Sequence, residues 1–275
     1  MVTKISKYSD SDFLSDHAII ENPNDEQFPF HTHDVCELIF LKSGNIKAVI
    51  DGKEYKLYEN SLVIFRPNLV HRIKIEDGTT YERYGILFDE KIIGKEAYSK
   101  IDKDLNVINF NGDHYIIDIF KKFDYYASSF EGEDLGKILR NLTEEVLYNL
   151  ILVKNEDYES SYNVINPIIN SAIEYIEKNY RMQTSIENIC KELFISKCHL
   201  HHLFMEILKT TPKKYINTKR LIEARKLIRG GYKPHEVYSL CGFTDYGTFY
   251  RNYKNYFGHI PSKENEYEIE RKLKS

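Results

Sequence analysis

At 275 residues, with 42% hydrophobic and 29% charged positions, the chain is long enough for two domains that each bury a core, and its composition is that of a globular protein in water. No apolar run approaches the roughly 20 residues of a membrane helix, the start MVTKISKYSDSDF lacks the apolar core of a secretion signal, and Cys36, Cys190, Cys198 and Cys241 form no CxxC pair, so a membrane partner, a disulfide framework and a thiolate zinc site are not expected. The net charge of -4 hides an asymmetry, because 167–263 holds 16 Lys+Arg against 8 Asp+Glu and leaves 22 against 34 elsewhere, a basic segment of +8 joined to an acidic one of -12.

From 28 to 88 the sequence reads as short strands. The apolar stretch 35–42 is followed by Gly44-Asn45, and Ile46, Ala48 and Ile50 then alternate with Lys47 and Val49 up to Asp51-Gly52, a type I′ hairpin signal. Further strands are expected at 54–57, 61–65, 70–75 and 81–88. Turns about every eight to twelve residues point to an antiparallel sandwich or small barrel.

After a strand or loop near 106–112 the period becomes helical. Tyr115, Ile116, Ile119, Phe120 and Phe123 form one stripe, and Leu135, Ile138, Leu139, Leu142, Val146, Leu147, Leu150 and Ile151 form a second beyond Glu131-Gly132. Two antiparallel helices fit, with the wide second stripe able to serve the chain's own core, a partner subunit or both. The polar stretch KNEDYESSY has no periodicity and reads as a linker. The expected organisation is a sensing barrel at 1–112, a helical dimerisation segment at 113–153, a linker at 154–162 and a DNA-binding domain at 163–275.

The basic half is all helical in pattern. Ile168, Ile169, Ala172, Ile173 and Ile176 make one amphipathic helix, Thr184-Ser-Ile-Glu187 reads as a capping box, and Ser196 caps a third helix. Thr211-Pro212 opens a long helix to Ile228 that Gly230-Gly231 ends; 234–240 and the stretch from Asp245 to Tyr256 follow, with a terminal helix after Pro261. A short helix, tight turn and second helix occur twice, at 186–204 and 236–253. Two helix-turn-helix units result, each able to place its second helix in a major groove.

The run Gly242-Phe243, Phe249, Arg251, Tyr253-Lys254, Phe257-Gly258 and Pro261 resembles the signature of the AraC/XylS transcription regulators. That resemblance implies base- or backbone-contacting positions at Ser196, Lys197, Cys198, His201 and His202 in the first unit, and Tyr246, Gly247, Thr248, Tyr250 and Arg251 in the second. Arg251 is the strongest single candidate, since a guanidinium pairs bidentately with a guanine edge. Three positions depart from the family's pattern: Tyr238 stands where a small alanine is usual, Gly247 lacks a side chain at a reading position, and Glu264-Asn-Glu-Tyr-Glu replaces the usual Tyr-Arg ending.

The stretch HTHDVCE carries His31, His33 and Glu37, which on one continuous strand would share a face. With Gly44 seven residues on and His71 after Pro67, the set resembles the two-part motif of cupin barrels, in which those side chains ligate a divalent ion; Leu69 stands where that motif has glycine. Two readings stay open for His31, His33, Glu37 and His71: a divalent transition-metal site, or a pocket wall that binds ligand or only shapes the domain. No catalytic residue and no certain cofactor are assigned.

Taken together, the resemblance implies an α+β multidomain protein: an N-terminal antiparallel, cupin-like β-barrel with a helical dimerisation hairpin, and a C-terminal all-α double helix-turn-helix. It implies a cytoplasmic, homodimeric regulator, an activator by default, with promoter DNA, RNA polymerase and a small-molecule effector, a carbohydrate by family habit, as partners. The alternatives are a metal-dependent cupin enzyme and a DNA-binding regulator whose barrel only dimerises.

Overall fold

The structure is a computed structural model describing residues 1–90, 92–110, 114–153, 162–182 and 184–264, and the chain divides between Asn163 and Val164 into two compact units. The expected linker falls on 154–161, outside the described residues, apart from Tyr162.

The first unit contains strands β1 (Val2–Ser9), β2 (Phe13–Ile20), β3 (Cys36–Ser43), β4 (Ile46–Ile50), β5 (Lys53–Lys56), β6 (Ser61–Phe65), β7 (His71–Ile75), β8 (Tyr81–Phe88) and β9 (Val107–Asn109), and β10 (Tyr162–Val164) runs across its boundary. Helices α1 (Lys95–Lys100), α2 (Tyr115–Ala127) and α3 (Gly132–Leu152) complete it. The strands form two sheets, in the orders β1-β2-β8-β3-β6-β9 and β10-β5-β4-β7. Asp51 at φ 43° and Gly52 at φ 80° make the hairpin that pairs Ile50 with Lys53, both left-handed as a type I′ turn requires.

β3 explains the layering. Its alternate residues Leu38 and Phe40 join a core with α2 and α3, where Phe40 stacks on Phe120 at 4.2 Å, whereas Ile39 and Leu41 join a second core with Ala48, Ile50, Val63 and Ile73. The larger sheet is therefore covered on both faces, by helices on one side and by the smaller sheet on the other, which is why 38–41 reads as a continuous apolar run. A closed barrel does not form. The sheets are open and face each other, since the edge strand β9 has only three residues to offer and β1 exposes most of its own.

β1, β2 and α1 lie outside the elements expected from sequence. In β2 the buried set includes Asp16 and His17, which breaks the apolar alternation. Burial is tolerated because Asp16 pairs with Lys4 and Arg83, and His17 lies between Asp124 of α2 at 2.8 Å and Glu82 at 3.0 Å. Those two carboxylates raise the pKa of His17 against the opposing pull of burial.

The second unit is helical: α4 (Pro167–Asn179), α5 (Ile186–Glu192), α6 (Lys197–Ile207), α7 (Pro212–Arg229), α8 (Pro234–Leu240) and α9 (Tyr246–Phe257). Five of these begin at a side-chain cap: Asn166, Ser185, Ser196, Thr211 and Asp245 each accept from a backbone N–H two or three residues on. The α5 cap is Ser185 rather than Thr184, whose hydroxyl instead donates to the Asn179 carbonyl. After Ile260 a 3-10 turn, Pro261–Lys263, and Glu264 are described, and the terminal helix expected there falls otherwise on 265–275, outside the described residues.

One clamp ties the two helix-turn-helix units together. Arg220 of α7, 9% exposed, donates to the carbonyls of Tyr180, Met182 and Thr184, gathering the loop after α4. The α8 to α9 turn reaches the same loop at Gly242, where a Cβ would lie 2.7 Å from the Tyr180 oxygen and φ is 84°. Only glycine satisfies both demands.

Candidate functional site

Two arrangements of polar side chains stand out, one in each unit. In the first, His31, His33, Glu37 and His71 offer ligand atoms that all lie within 4.8 Å of one another. They do not share one strand, contrary to the parity argument. β3 begins only at Cys36, and His31 is held by an isolated bridge to His71, with reciprocal N–H to carbonyl bonds of 3.0 Å. The irregular segment between bends His33 back to Glu37, so the cluster forms by a turn rather than by strand alternation.

Each ring is fixed from behind. The Nδ1–H groups of His31, His33 and His71 donate to the carbonyls of Pro29, Val35 and Leu69 at 3.0, 2.9 and 2.8 Å. A carbonyl can only accept, so Nδ1 carries the proton and a neutral ring keeps its lone pair at Nε2. Phe65 stacks on His71 at 4.2 Å and further limits that ring.

Nε2 of His33 and of His71 then meet the same oxygen, Glu37 Oε2, at 3.1 and 3.3 Å. A lone pair facing a carboxylate needs a positive charge between them, either a proton that makes the ring an imidazolium or a cation. Burial raises the Glu37 carboxyl, but hydrogen bonds and charge from His33 and His71 outweigh it and hold the group well below the usual carboxylate range. At His33 burial lowers the pKa and the Glu37 contact more than reverses this; at His31 burial wins, aided by the charge of His71. Three imidazoles whose Nδ1–H is fixed on a carbonyl, their Nε2 atoms turned toward an ionised carboxylate, fit a divalent transition metal, with backbone carbonyls in the outer role such sites use.

In the second unit the candidates are spread over a surface. Ser196 caps α6 by accepting from the His199 N–H at 3.1 Å. Lys197 pairs with the Glu187 carboxylate of α5, so a phosphate would have to compete for it. Cys198, His201 and His202 are exposed on α6, as is His199, which the sequence reading passed over; His202 Nε2 lies 3.4 Å from Glu206. The buried side of α6 is Leu200, Leu203 and Phe204, so the exposed set faces away from the core.

On α9, Phe249 and Tyr253 are buried and Arg251 is exposed. Its Nη2 donates to the Thr248 hydroxyl at 3.3 Å. A Cβ at Gly247 would stand 3.6 Å from the Arg251 guanidinium and 3.3 Å from Asp245, so the missing side chain leaves Arg251 room to lie along the first turn. Tyr246 and Tyr250 approach each other at 6.2 Å, and Tyr246 also meets Tyr238 edge-on at 5.9 Å. The bulky residue at the α8 crossing thus supports the start of α9 rather than spoiling it.

A buried carboxylate near the chain's end was not foreseen as functional. Glu264, fully buried, accepts from Arg225 and Arg229 of α7 at 2.8 Å, from the Tyr253 hydroxyl at 2.6 Å and lies 2.6 Å from His259. Burial raises its pKa, but those hydrogen bonds and the charge of Arg225 prevail and hold it at about 2. It anchors α9 to α7 where the AraC/XylS pattern has a different ending.

Comparison with known proteins adds two matched models: an AraC-like ligand binding domain over residues 16–100 and a helix-turn-helix domain over 189–266. The HTH-type transcriptional activator RhaS of Mannheimia succiniciproducens is 24% identical over 94% of this chain and 98% of its own length. The lactose operon transcription activator of Staphylococcus xylosus is 26% identical over 42% of this chain and 43% of its own. Among solved structures, ToxT from Vibrio cholerae O395 aligns at TM-score 0.38 with 13% identity, covering 94% of this chain and 97% of that one. The matched domains and named relatives belong to transcription regulators, not enzymes.

Proposed function

Because the chain belongs to the AraC family of DNA-binding transcription regulators, pairing a ligand-binding domain with a helix-turn-helix domain, we propose that it is a homodimeric, cytoplasmic activator whose DNA binding is governed by a carbohydrate held in the first unit. The observation that carries the reading is the pair α6 and α9. Each is fixed at its first turn by a side-chain cap, each turns polar side chains outward, and α7 joins their units as a rod of about 27 Å. That length suits two helices serving grooves about 34 Å apart on one face of a duplex.

In this reading Arg251 pairs with a guanine edge, and Tyr246, Thr248 and Tyr250 flank it while Gly247 gives it clearance. On α6, Cys198, His201 and His202 face the second groove, with Ser196 ordering the first turn and Lys197 exchanging Glu187 for a phosphate. Activation is supported by the Mannheimia relative, an activator by name, and a sugar effector by the Staphylococcus relative, a lactose operon activator by name. Activation requires contact with RNA polymerase. The dimer would form along α2 and α3, whose Tyr115, Tyr148 and Leu152 are 54%, 48% and 75% exposed.

His31, His33, Glu37 and His71 would hold a divalent metal in the sensing pocket. When bound, the ion supplies a Lewis-acid anchor for an effector oxygen, while the backbone carbonyls behind the rings keep the imidazoles aimed. Residues 1–112 are then the sensor, 113–153 the dimerisation segment, 154–162 the linker and 163–275 the DNA-binding part.

The test is operator selection from a random duplex library with full-length protein, then binding and in vitro transcription with RNA polymerase against a panel of mono- and disaccharides. A sugar that shifts operator affinity and raises transcription supports the proposal. A selected operator that no sugar affects removes the carbohydrate, and transcription that falls on binding removes the activator.

A further inference from the structure

A groove of 430 Å³ lies between α7 and α9 and belongs to neither arrangement above. Its walls include Lys213, Lys214, Asn217 and Thr218 of α7 and Asn252 and Asn255 of α9, and no carboxylate is among its lining residues. Asn252 is committed, donating to the Thr248 carbonyl at 2.7 Å. The side chains of Lys213, Lys214, Asn217 and Asn255 make no hydrogen bond or ion pair among the described residues.

Thr218 is the most telling of these. It is 9% exposed, yet its hydroxyl has no partner among the described residues and it lines the groove. A helical threonine ordinarily donates back to the carbonyl four residues earlier, as Thr143 of α3 does to Leu139 at 2.9 Å. The hydroxyl of Thr218 is instead left for something that enters.

The backbone adds a second donor of the same polarity. Pro212 has no N–H, and Thr211 Oγ1 occupies the Lys214 N–H, which leaves the Lys213 N–H unclaimed at the positive end of an 18-residue helix. Ammonium groups, amides, a hydroxyl and a helix start, without a competing acid, make a receptor for an oxyanion.

The position of the groove selects the oxyanion. Asn255 follows Arg251 by four residues, one turn further along the same helical ridge. If Arg251 points into a major groove about 12 Å wide, the phosphates at its rim come next along that ridge. We propose that the α7/α9 groove seats a backbone phosphate at the rim of the major groove that α9 enters, with Lys213 and Lys214 as counter-charges and the Thr218 hydroxyl, open to the groove, as a donor. This rests on the DNA-reading role of α9.

The experiment measures binding of the full chain to a short labelled duplex of random sequence across a salt series, alongside the selected operator. Lys213→Gln with Lys214→Gln should lower the slope of log K against log salt by about 1, since the one phosphate seated there contributes about 0.9. Operator choice should not change. Thr218→Val should weaken binding several-fold with the slope intact, and the double arginine variant should keep the wild-type slope. Wild-type slope in the double glutamine variant overturns the proposal, as does stabilisation of the wild type by inorganic phosphate that the variant loses while its slope stays put, because the groove would then take a free anion. A wild type without operator preference instead overturns the DNA-reading role itself.

Discussion

In the first unit, three imidazoles and a carboxylate face one another, and each ring is pinned by a backbone carbonyl behind it. In the second, His199, His201, His202 and Arg251 face outward from helices whose caps fix the backbone and leave the side chains largely loose. The same residue types thus serve opposite ends. A site for a small ligand must be organised before the ligand arrives, because the ligand brings few contacts with which to order it. A surface for a polyanion leaves its charges unsatisfied, because the partner supplies the counter-charges.

The second unit also holds a convergent cluster, around Glu264, and there the contrast can be broken most forcefully. Glu264→Ala would strand two guanidinium groups, and the loss should be about 3 to 5 kcal/mol in the unfolding of the helical unit. The effect has a pH signature. With its folded pKa held at about 2 against an ordinary 4.5, Glu264 stabilises fully above 4.5 and loses that contribution as pH falls toward 2, so the gap between wild type and Glu264→Gln should close over that window in denaturant titrations. A gap independent of pH would mean that the carboxylate is not a buried anchor.

Next in size is the first unit's response to metal. Zinc added to untagged protein at about a hundred times its dissociation constant should stabilise that unit by about 2.7 kcal/mol, and His71→Ala should abolish the gain. Elemental analysis should find near-stoichiometric transition metal that His31→Ala removes. Equal stabilisation of wild type and His71→Ala would turn the cluster into a pocket wall.

Arg251→Ala sharpens the contrast from the other side. It should cost about 1 to 3 kcal/mol of discrimination at one base pair and leave stability within about 0.5 kcal/mol, read by competition among operator variants and by thermal unfolding. Smallest is Lys197→Gln, which already shares its charge with Glu187. It should weaken binding to all sequences alike and reduce the salt slope by about 1.

The helical unit was far more legible than the sheet unit. Pro167, Ser196, Thr211-Pro212, Pro234 and Asp245 announce helix starts through local chemistry, and the structure begins helices there. Sheets depend on distant partners. β2 escaped notice because Asp16 and His17 interrupt its apolar pattern, and their partners Arg83, Glu82 and Asp124 lie 65 to 107 positions away in sequence. The structure brings His31, His33, Glu37 and His71 together, but not on the single strand expected, because the segment before Cys36 bends. Glu264 stood out only as a departure from the family's ending and the hydroxyl of Thr218 not at all, since the role of each depends on which helices pack together.

The account turns on α6 and α9 reading successive grooves of one duplex. The direct measurement is competition between a library-selected operator and its scrambled counterpart for the full chain at near-physiological salt, repeated with Arg251→Ala. The account predicts a preference of about a thousandfold or more for the operator, reduced by Arg251→Ala at a single base pair within it. Equal affinity for both duplexes, at that salt and in dilute buffer, would contradict it.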